Sequence, residues 1–191
     1  MARERKFSTN ELFEETKDLL LKHGYDGFTF GDLAEKLSIS RGAIYKYFEN
    51  KDVLITSYML YEMNRFLDQL KGIEAYKNFE DKFDFLMDLI LTDTKIHYII
   101  QLTKNIPFNS NERSKLNQQK LDELHLKMYS YLDQFVQQGK LEDKLKVNIP
   151  NSLILGFIFQ TIAIPNHYHI PQDKWIDYIK EIIRNGMFTH Y

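Results

Sequence analysis

Apolar residues recur every three or four positions along most of the 191-residue chain, which is the period of an amphipathic helix. The first such stretch runs from Thr9 to His23, with Ser8 and Thr9 as candidate N-caps and Gly24 as the stop. No stretch alternates apolar and polar residues for long enough to predict a strand. The pattern therefore predicts an all-α protein of about nine helices.

Two short helices joined by a tight turn are predicted next. Thr29 stands three residues before Asp32, the spacing of a capping box, and the helix that follows ends near Leu37. Ser40 is the predicted N-cap of the second short helix, in which Ile44 and Phe48 fall four residues apart on one face. This order of elements is that of a helix-turn-helix, whose second helix enters the major groove of DNA.

The residues of this segment divide between an inner and an outer face. The inner face is apolar and consists of Leu33, Ala34, Leu37, Ile39, Ile44 and Phe48. The outward residues of the second helix are small, hydroxylated or basic: Ser40, Arg41, Gly42, Ala43, Tyr45, Lys46 and Tyr47. Side chains of these types suit base edges and phosphates. On its own, however, the pattern also fits a three-helix packing unit with a solvated polar face.

Specific contacts with DNA follow from the chemistry of the outward residues. Arg41 suits guanine or phosphate, and Gly42 or Ala43 permits close approach to the groove. Tyr45 and Tyr47 are expected to hydrogen-bond phosphates or to pack on sugars and thymine methyl groups.

Further contacts with the DNA backbone are predicted around this helix. Lys46 and Lys51 suit phosphates, and Thr29 offers a hydroxyl at the N-terminus of its helix. The basic residues Arg3, Arg5 and Lys6 could add phosphate or minor-groove contacts.

Several runs in this region resemble the DNA-binding domain of the tetracycline-repressor (TetR) family. The most specific are GAIYKYF at 42–48 and NKDVL at 50–54, preceded by FTFGDLA at 28–34 and SISR at 38–41. The resemblance covers about the first fifty residues. It implies a three-helix DNA-binding domain at 1–50, with the reading positions named above, and a helical effector-binding and dimerisation domain at 51–191. Ala43 stands where many members have a hydroxyl or an amide, so one contact is expected to be missing.

Charge and composition add little to this interpretation. The net charge is −2, and residues 1–51 contain nine Lys and Arg and equally nine Asp and Glu. DNA binding must therefore depend on the local placement of charge. The chain has no Cys, no apolar signal region and no apolar run of membrane-spanning length. We therefore expect a cytoplasmic protein without disulfides or membrane contact.

The helices predicted beyond residue 50 span about 51–71, 79–91, 93–104, 111–138, 149–164 and 173–187. The last carries an apolar stripe made of Trp175, Ile176, Ile179, Ile182, Ile183, Gly186 and Met187. One face of the helix before it carries Leu153, Gly156, Phe157, Gln160 and Thr161. Paired across a two-fold axis, these two helices would form a four-helix bundle in a homodimer. The alternative is burial within one chain.

A ligand pocket is predicted from polar and aromatic residues that interrupt apolar helices. These are His97, Tyr98, Gln101, His125, Tyr129, Phe157 and Gln160. They could orient a small apolar effector, although each alone also fits a satisfied core hydrogen bond or simple exposure.

Metal binding and catalysis have weaker support. The pairs Asp93/His97, Asp122/His125 and His167/His169 have ligand spacing but arise easily by chance, so no metal and no cofactor are predicted. No nucleophile motif or fuller ligand cluster indicates an enzyme.

The sequence thus predicts a homodimeric repressor that binds a palindromic operator and is released from it by a ligand. The half-sites are expected to lie about one helical turn (~34 to 36 Å) or a little more apart. A helical metal-dependent enzyme, a protein-interaction module and, within DNA binding, an activator are the alternatives.

Overall fold

Eight α-helices occupy the part of the chain that the computed structural model describes, residues 7–92 and 111–189. They are α1 (Thr9–Gly27), α2 (Phe30–Lys36), α3 (Arg41–Tyr45), α4 (Lys51–Leu70), α5 (Phe79–Thr92), α6 (Glu112–Leu141), α7 (Asn151–Gln160) and α8 (Gln172–Met187). Short 3-10 turns follow α4 and α7. The all-α prediction is confirmed. The helix predicted at 93–104 lies outside the described residues.

The chain forms two compact units, each made of two stretches of sequence. Unit one comprises Met1–Asn64 and Lys95–Leu124, and unit two comprises Arg65–Thr94 and His125–Tyr191. Helices α4 and α6 therefore each contribute residues to both units. The predicted functional boundary between residues 50 and 51 is a different division of the chain and stays a prediction.

Local capping explains where the first helices of unit one begin and end. The Ser8 hydroxyl accepts from the Glu11 N–H at 3.1 Å, and the Glu11 carboxylate accepts from the Ser8 N–H at 2.7 Å, which completes a capping box. Gly24 has a φ of 68°, a left-handed value that glycine adopts without strain, and it kinks α1 where the sequence predicted its end. The chain then remains helical to Gly27.

The turn between α2 and α3 is tight and hydrogen-bonded. The Ile39 N–H donates to the Ala34 carbonyl at 2.9 Å, and Ser38 takes a left-handed φ of 51°. Leu33, Ala34, Ile44 and Phe48 are buried, while the other two predicted inner-face residues are partly buried against the same core. That apolar contact fixes α3 against α2.

Unit two has an aromatic core in which a glycine permits the closest approach. The Phe79 and Phe135 rings stack with centroids 4.8 Å apart and planes at 13°. A Cβ on Gly139 would come within 2.4 Å of the Phe79 ring. The prediction that the helix ends at Gln138 was wrong: α6 continues to Leu141, and Gly139 serves packing rather than termination.

Charged residues join α5 and α8 within unit two. The ammonium of Lys180, which is buried, lies 2.6 Å from the Asp88 carboxylate and 3.6 Å from that of Asp84. Arg184 lies 2.5 Å from the Asp84 carboxylate and over the Phe83 ring. The ion pairs fix which faces of these helices meet. None of the described helices is both long enough and apolar enough to cross a membrane.

Candidate nucleic-acid interface

Helix α3 presents its predicted reading side chains to solvent. Ser40, Arg41, Gly42, Tyr45 and Lys46 are exposed, whereas Ile44 on the opposite face is completely buried. Ser40 occupies the predicted N-cap position of α3, but its hydroxyl makes no capping hydrogen bond. The burial of one face and exposure of the other give α3 the form that a groove-reading helix requires.

Two of these positions have local geometry that bears on DNA contact. Tyr45 is half exposed, and its ring packs edge-on against Phe30 with centroids 4.9 Å apart, which supports the phenol at the surface. A Cβ on Gly42 would have no atom within 4 Å, so nothing inside the chain requires its small size. Ala43 beside it is partly exposed.

Tyr47 differs from its neighbours on the predicted reading face. It is partly buried, and its ring packs edge-on against Phe7 with centroids 5.7 Å apart. Its carbonyl oxygen accepts a hydrogen bond from the Arg113 guanidinium at 3.1 Å. Its ring therefore also packs against the apolar core of unit one.

Thr29 is exposed, but its hydroxyl is already in use as the N-cap of α2. It accepts from the Asp32 N–H at 3.2 Å and donates to the Asp32 carboxylate at 2.7 Å. The predicted N-cap is confirmed, but the reciprocal half of a capping box is not formed, because the Asp32 carboxylate accepts from the Thr29 hydroxyl and not from its backbone N–H. The negative charge of Asp32 would repel a phosphate at this point, so the local geometry disfavours the predicted Thr29 contact with DNA.

Lys51 holds the start of α4 against the end of α1. Its ammonium donates to the Tyr25 carbonyl at 2.9 Å and lies 4.3 Å from the centroid of the Tyr25 ring. The Tyr25 hydroxyl donates to the Asp52 carboxylate at 2.5 Å, and burial together with that carboxylate holds the pKa of Tyr25 well above its usual value. The phenol therefore stays a neutral donor, and Lys51 is partly engaged within the chain.

Sequence reasoning missed a set of contacts that the start of α6 and the residue before it make with residues after α3 and with α4. We call Asn111, Arg113 and Asn117 the α6 seam. The amide of Asn111 donates to the Glu49 carboxylate at 2.5 Å. The Asn111 side chain also accepts from the Arg113 N–H at 2.7 Å, as an N-cap does. The partners, some sixty residues away in the sequence, carried no signal.

The predicted ligand residues are only partly covered by the described chain. His97, Tyr98 and Gln101 lie outside it. His125 is partly buried, and Tyr129 is half exposed with its ring edge-on to Phe159 at 6.1 Å. Phe157 and Gln160 are exposed on α7. The pocket assignment stays a prediction.

A polar cleft of about 450 Å³ lies elsewhere in unit two. It is lined by Asp84, Asp177, Lys180, Glu181, Arg184 and Asn185. No group of three or more metal-ligating side chains occurs among residues 7–92 and 111–189.

The apolar stripe predicted on the last helix is divided by the fold. Ile176, Ile179, Ile183 and Met187 are buried within the chain, whereas Tyr178 and Ile182 are exposed. On α7, Leu153 and Phe157 are exposed, whereas Thr161, just past the end of α7, is buried within the chain, which was the alternative for that residue. Each helix thus keeps a second, outward apolar strip after burying the first.

Residues 12–58 match the family model "Bacterial regulatory proteins, tetR family". The fatty acid metabolism regulator protein of Bacillus subtilis (strain 168) is 21% identical over 158 residues, covering 80% of each chain. The ketosteroid transcriptional regulator KstR2 of Mycobacterium tuberculosis has a similar structure, with a TM-score of 0.76 at 14% identity, covering 100% of this chain and 98% of that one.

A third similar protein is the transcriptional regulator FadR from Bacillus subtilis, whose structure was solved in complex with stearoyl-CoA. Its TM-score is 0.69 at 18% identity, covering 96% of this chain and 100% of that one. The matched residues contain α2, the turn and α3 complete, which are the elements that form the candidate interface. Residues 12–58 therefore match the tetR family of bacterial regulatory proteins, and the chain has the fold of these solved transcriptional regulators.

Proposed function

We propose that the protein is a homodimeric repressor that binds a palindromic operator and leaves it when a small ligand binds. The observation that carries the proposal is the exposed face of α3, where Arg41, Tyr45 and Lys46 surround an unobstructed Gly42. Arg41 reads guanine or contacts phosphate, Lys46 contacts phosphate, and Gly42 lets the backbone approach the groove. The phenol of Tyr45, braced by Phe30, reaches a phosphate or a thymine methyl group.

Dimerisation places two such helices on one DNA duplex. The outward strips of α7 and α8 support a two-fold interface, because both are apolar and lie in the same unit. Along α7 the strip is Leu153, Gly156, Phe157 and Gln160; along α8 it is Trp175, Tyr178, Ile182 and Gly186. A Cβ on either glycine would meet no atom of its own chain, so each leaves room for a partner helix.

The ligand class that we propose is an acyl-CoA thioester. The support comes from two relatives: one is described as a fatty acid metabolism regulator, and one was solved with stearoyl-CoA. The ligand would act through its different affinities for the DNA-bound and released states. Release of a selected operator by stearoyl-CoA, but not by CoA or stearate alone, would support this class. Equal release by free stearate would replace it with a fatty acid.

The reading face is tested on an operator selected from random DNA. Arg41→Ala combined with Tyr45→Ala should weaken binding at least ~30-fold, since each lost contact costs about 1–3 kcal/mol. Lys77→Ala, which removes an exposed cation from unit two, is the control and should change affinity little. Binding should weaken steeply with salt because phosphate contacts release counterions. Unchanged affinity in the double variant would show that α3 does not read the DNA.

The dimer is tested separately by sedimentation. Ile182→Glu should yield monomers, because it would place a charge in the apolar interface. Leu126→Glu is a matched control: Leu126 is 72% exposed and Ile182 is 65% exposed, but Leu126 lies on α6. A dimer that survives Ile182→Glu would place the interface elsewhere.

A further inference from the structure

The last residues of the helix-turn-helix are held from outside by the α6 seam. Arg113 donates to the Tyr47 carbonyl at 3.1 Å, just past the end of α3, and Asn111 donates to the Glu49 carboxylate at 2.5 Å. These contacts lie within unit one, since its second stretch runs to Leu124. The compact body around the reading helix therefore includes residues far from it in sequence.

The seam continues along α6 to the first turns of α4. The amide of Asn117 donates to the Thr56 hydroxyl at 2.9 Å and to that of Ser57 at 3.2 Å. Asn117 and Thr56 are buried, so these hydrogen bonds are shielded from competing water. The start of α6 thus contacts both the residues that follow α3 and the buried face of α4.

Helix α3 needs such support because it is short. Its five residues complete little more than one helical turn, and a helix of that length has no stability of its own in water. Its first end is set by the tight turn after α2, and its middle by the buried Ile44. The Tyr47 carbonyl follows its last turn, and a guanidinium there is a charge-assisted donor that also complements the helix dipole.

We propose that Arg113 is a positioning residue for DNA reading: through the Tyr47 carbonyl it fixes the end of α3, and Asn111 supports it through Glu49. Arg113 is exposed, so its contribution lies in the direction of α3 more than in the stability of the unit. The inference rests on the DNA-reading part of the proposed function. It assigns part of operator recognition to a helix outside the matched residues 12–58.

A direct contact between Arg113 and a phosphate would also lower affinity when the side chain is removed. The two roles differ in their dependence on salt. Loss of a phosphate contact reduces the slope of log K against log salt by about 1 and weakens binding to all sequences alike. Loss of positioning leaves that slope unchanged and selectively weakens binding to the operator.

The experiment measures operator and random-DNA affinity over a range of salt for the full chain and its variants. Arg113→Ala should weaken operator binding ~3- to 10-fold, as expected for one exposed charge-assisted hydrogen bond. Affinity for random DNA and the salt slope should stay unchanged. Arg113→Lys should recover part of the loss, because an ammonium can still donate to the carbonyl. Lys115→Ala is the matched control, since it removes the same charge from an exposed position two residues away.

Asn111→Asp tests the seam without removing the helix cap. The new carboxylate still accepts from the Arg113 N–H, but it cannot donate to Glu49 and repels it. Operator affinity should again fall with little change in thermal unfolding. A salt slope reduced by about 1 in Arg113→Ala, or equal loss in Lys115→Ala, would overturn the positioning role. If the unaltered chain bound no selected DNA, the proposed function itself would fail instead.

Discussion

The two halves of α6 contribute to the two units with opposite chemistry. In unit one its first two buried positions are polar: the Ser114 hydroxyl donates to the Asn111 carbonyl, and the Asn117 amide donates to the hydroxyls of Thr56 and Ser57. In unit two its buried positions are apolar and include Leu132 and Phe135. One continuous helix therefore makes polar, directional contacts at one end and packs into an apolar core at the other.

The difference has an energetic meaning. A net hydrogen bond contributes only about 1 kcal/mol because water competes for the same groups, but it requires a specific geometry. Truncating a large buried apolar side chain to alanine costs about 2–5 kcal/mol, and the apolar contacts that are lost depend little on direction. We therefore expect substitutions in unit two to act mainly on stability, and those in the seam and on the reading face to act mainly on DNA binding.

The largest effect on stability is expected from Phe135→Ala. It removes the stacked partner of Phe79 and leaves a cavity, which should lower the free energy of unfolding by about 3–5 kcal/mol. Denaturant unfolding followed by circular dichroism measures the change. A loss below 1 kcal/mol would mean that the aromatic core does not carry unit two, and the contrast between the two halves of α6 would fail.

On the reading face, Gly42→Leu should act in the opposite way. The added side chain has open space within the chain, so stability should hold, but the side chain would project into the groove. Operator affinity should fall about 100-fold, which corresponds to ~2.7 kcal/mol. A fluorescence anisotropy titration measures it beside thermal unfolding. Retained affinity would show that α3 approaches DNA by a different face.

Gly139→Ala sharpens the contrast within unit two. Alanine improves helix propensity by about 1 kcal/mol, but its Cβ would overlap the buried Phe79 ring, which costs about 1–3 kcal/mol. We therefore expect a net loss of up to ~2 kcal/mol in denaturant unfolding. Gly42→Ala, where the Cβ meets nothing, should cause no loss. Equal behaviour of the two alanines would show that Gly139 is not a packing residue.

Sequence predicted the two units unequally well for the same physical reason. Capping and helical spacing are local signals. Ser8, Thr29 and the exposed face of α3 could therefore each be recognised from residues close to it in sequence. Which side of an apolar helix faces its own chain depends on distant partners. The stripe around Ile179 and Ile182 therefore looked uniform, although the fold buries the first and exposes the second. The Arg113 contact was invisible because its partner is a backbone carbonyl, which any residue supplies.

The smallest effect should come from Asn117→Ala, and it tests the polar half of α6 most directly. The substitution removes the hydrogen bonds to Thr56 and Ser57, but both hydroxyls still donate to backbone carbonyls of α4, at 2.7 and 2.6 Å. No buried donor is left without an acceptor, so the free energy of unfolding should fall by only about 1 kcal/mol. Leu132→Ala, at a buried position in the unit-two half of the same helix, should cost about 2–5 kcal/mol. If the two variants were equally unstable in denaturant, the polar contacts would contribute as much stability as the apolar ones. The energetic contrast between the polar and the apolar half of α6 would then be wrong.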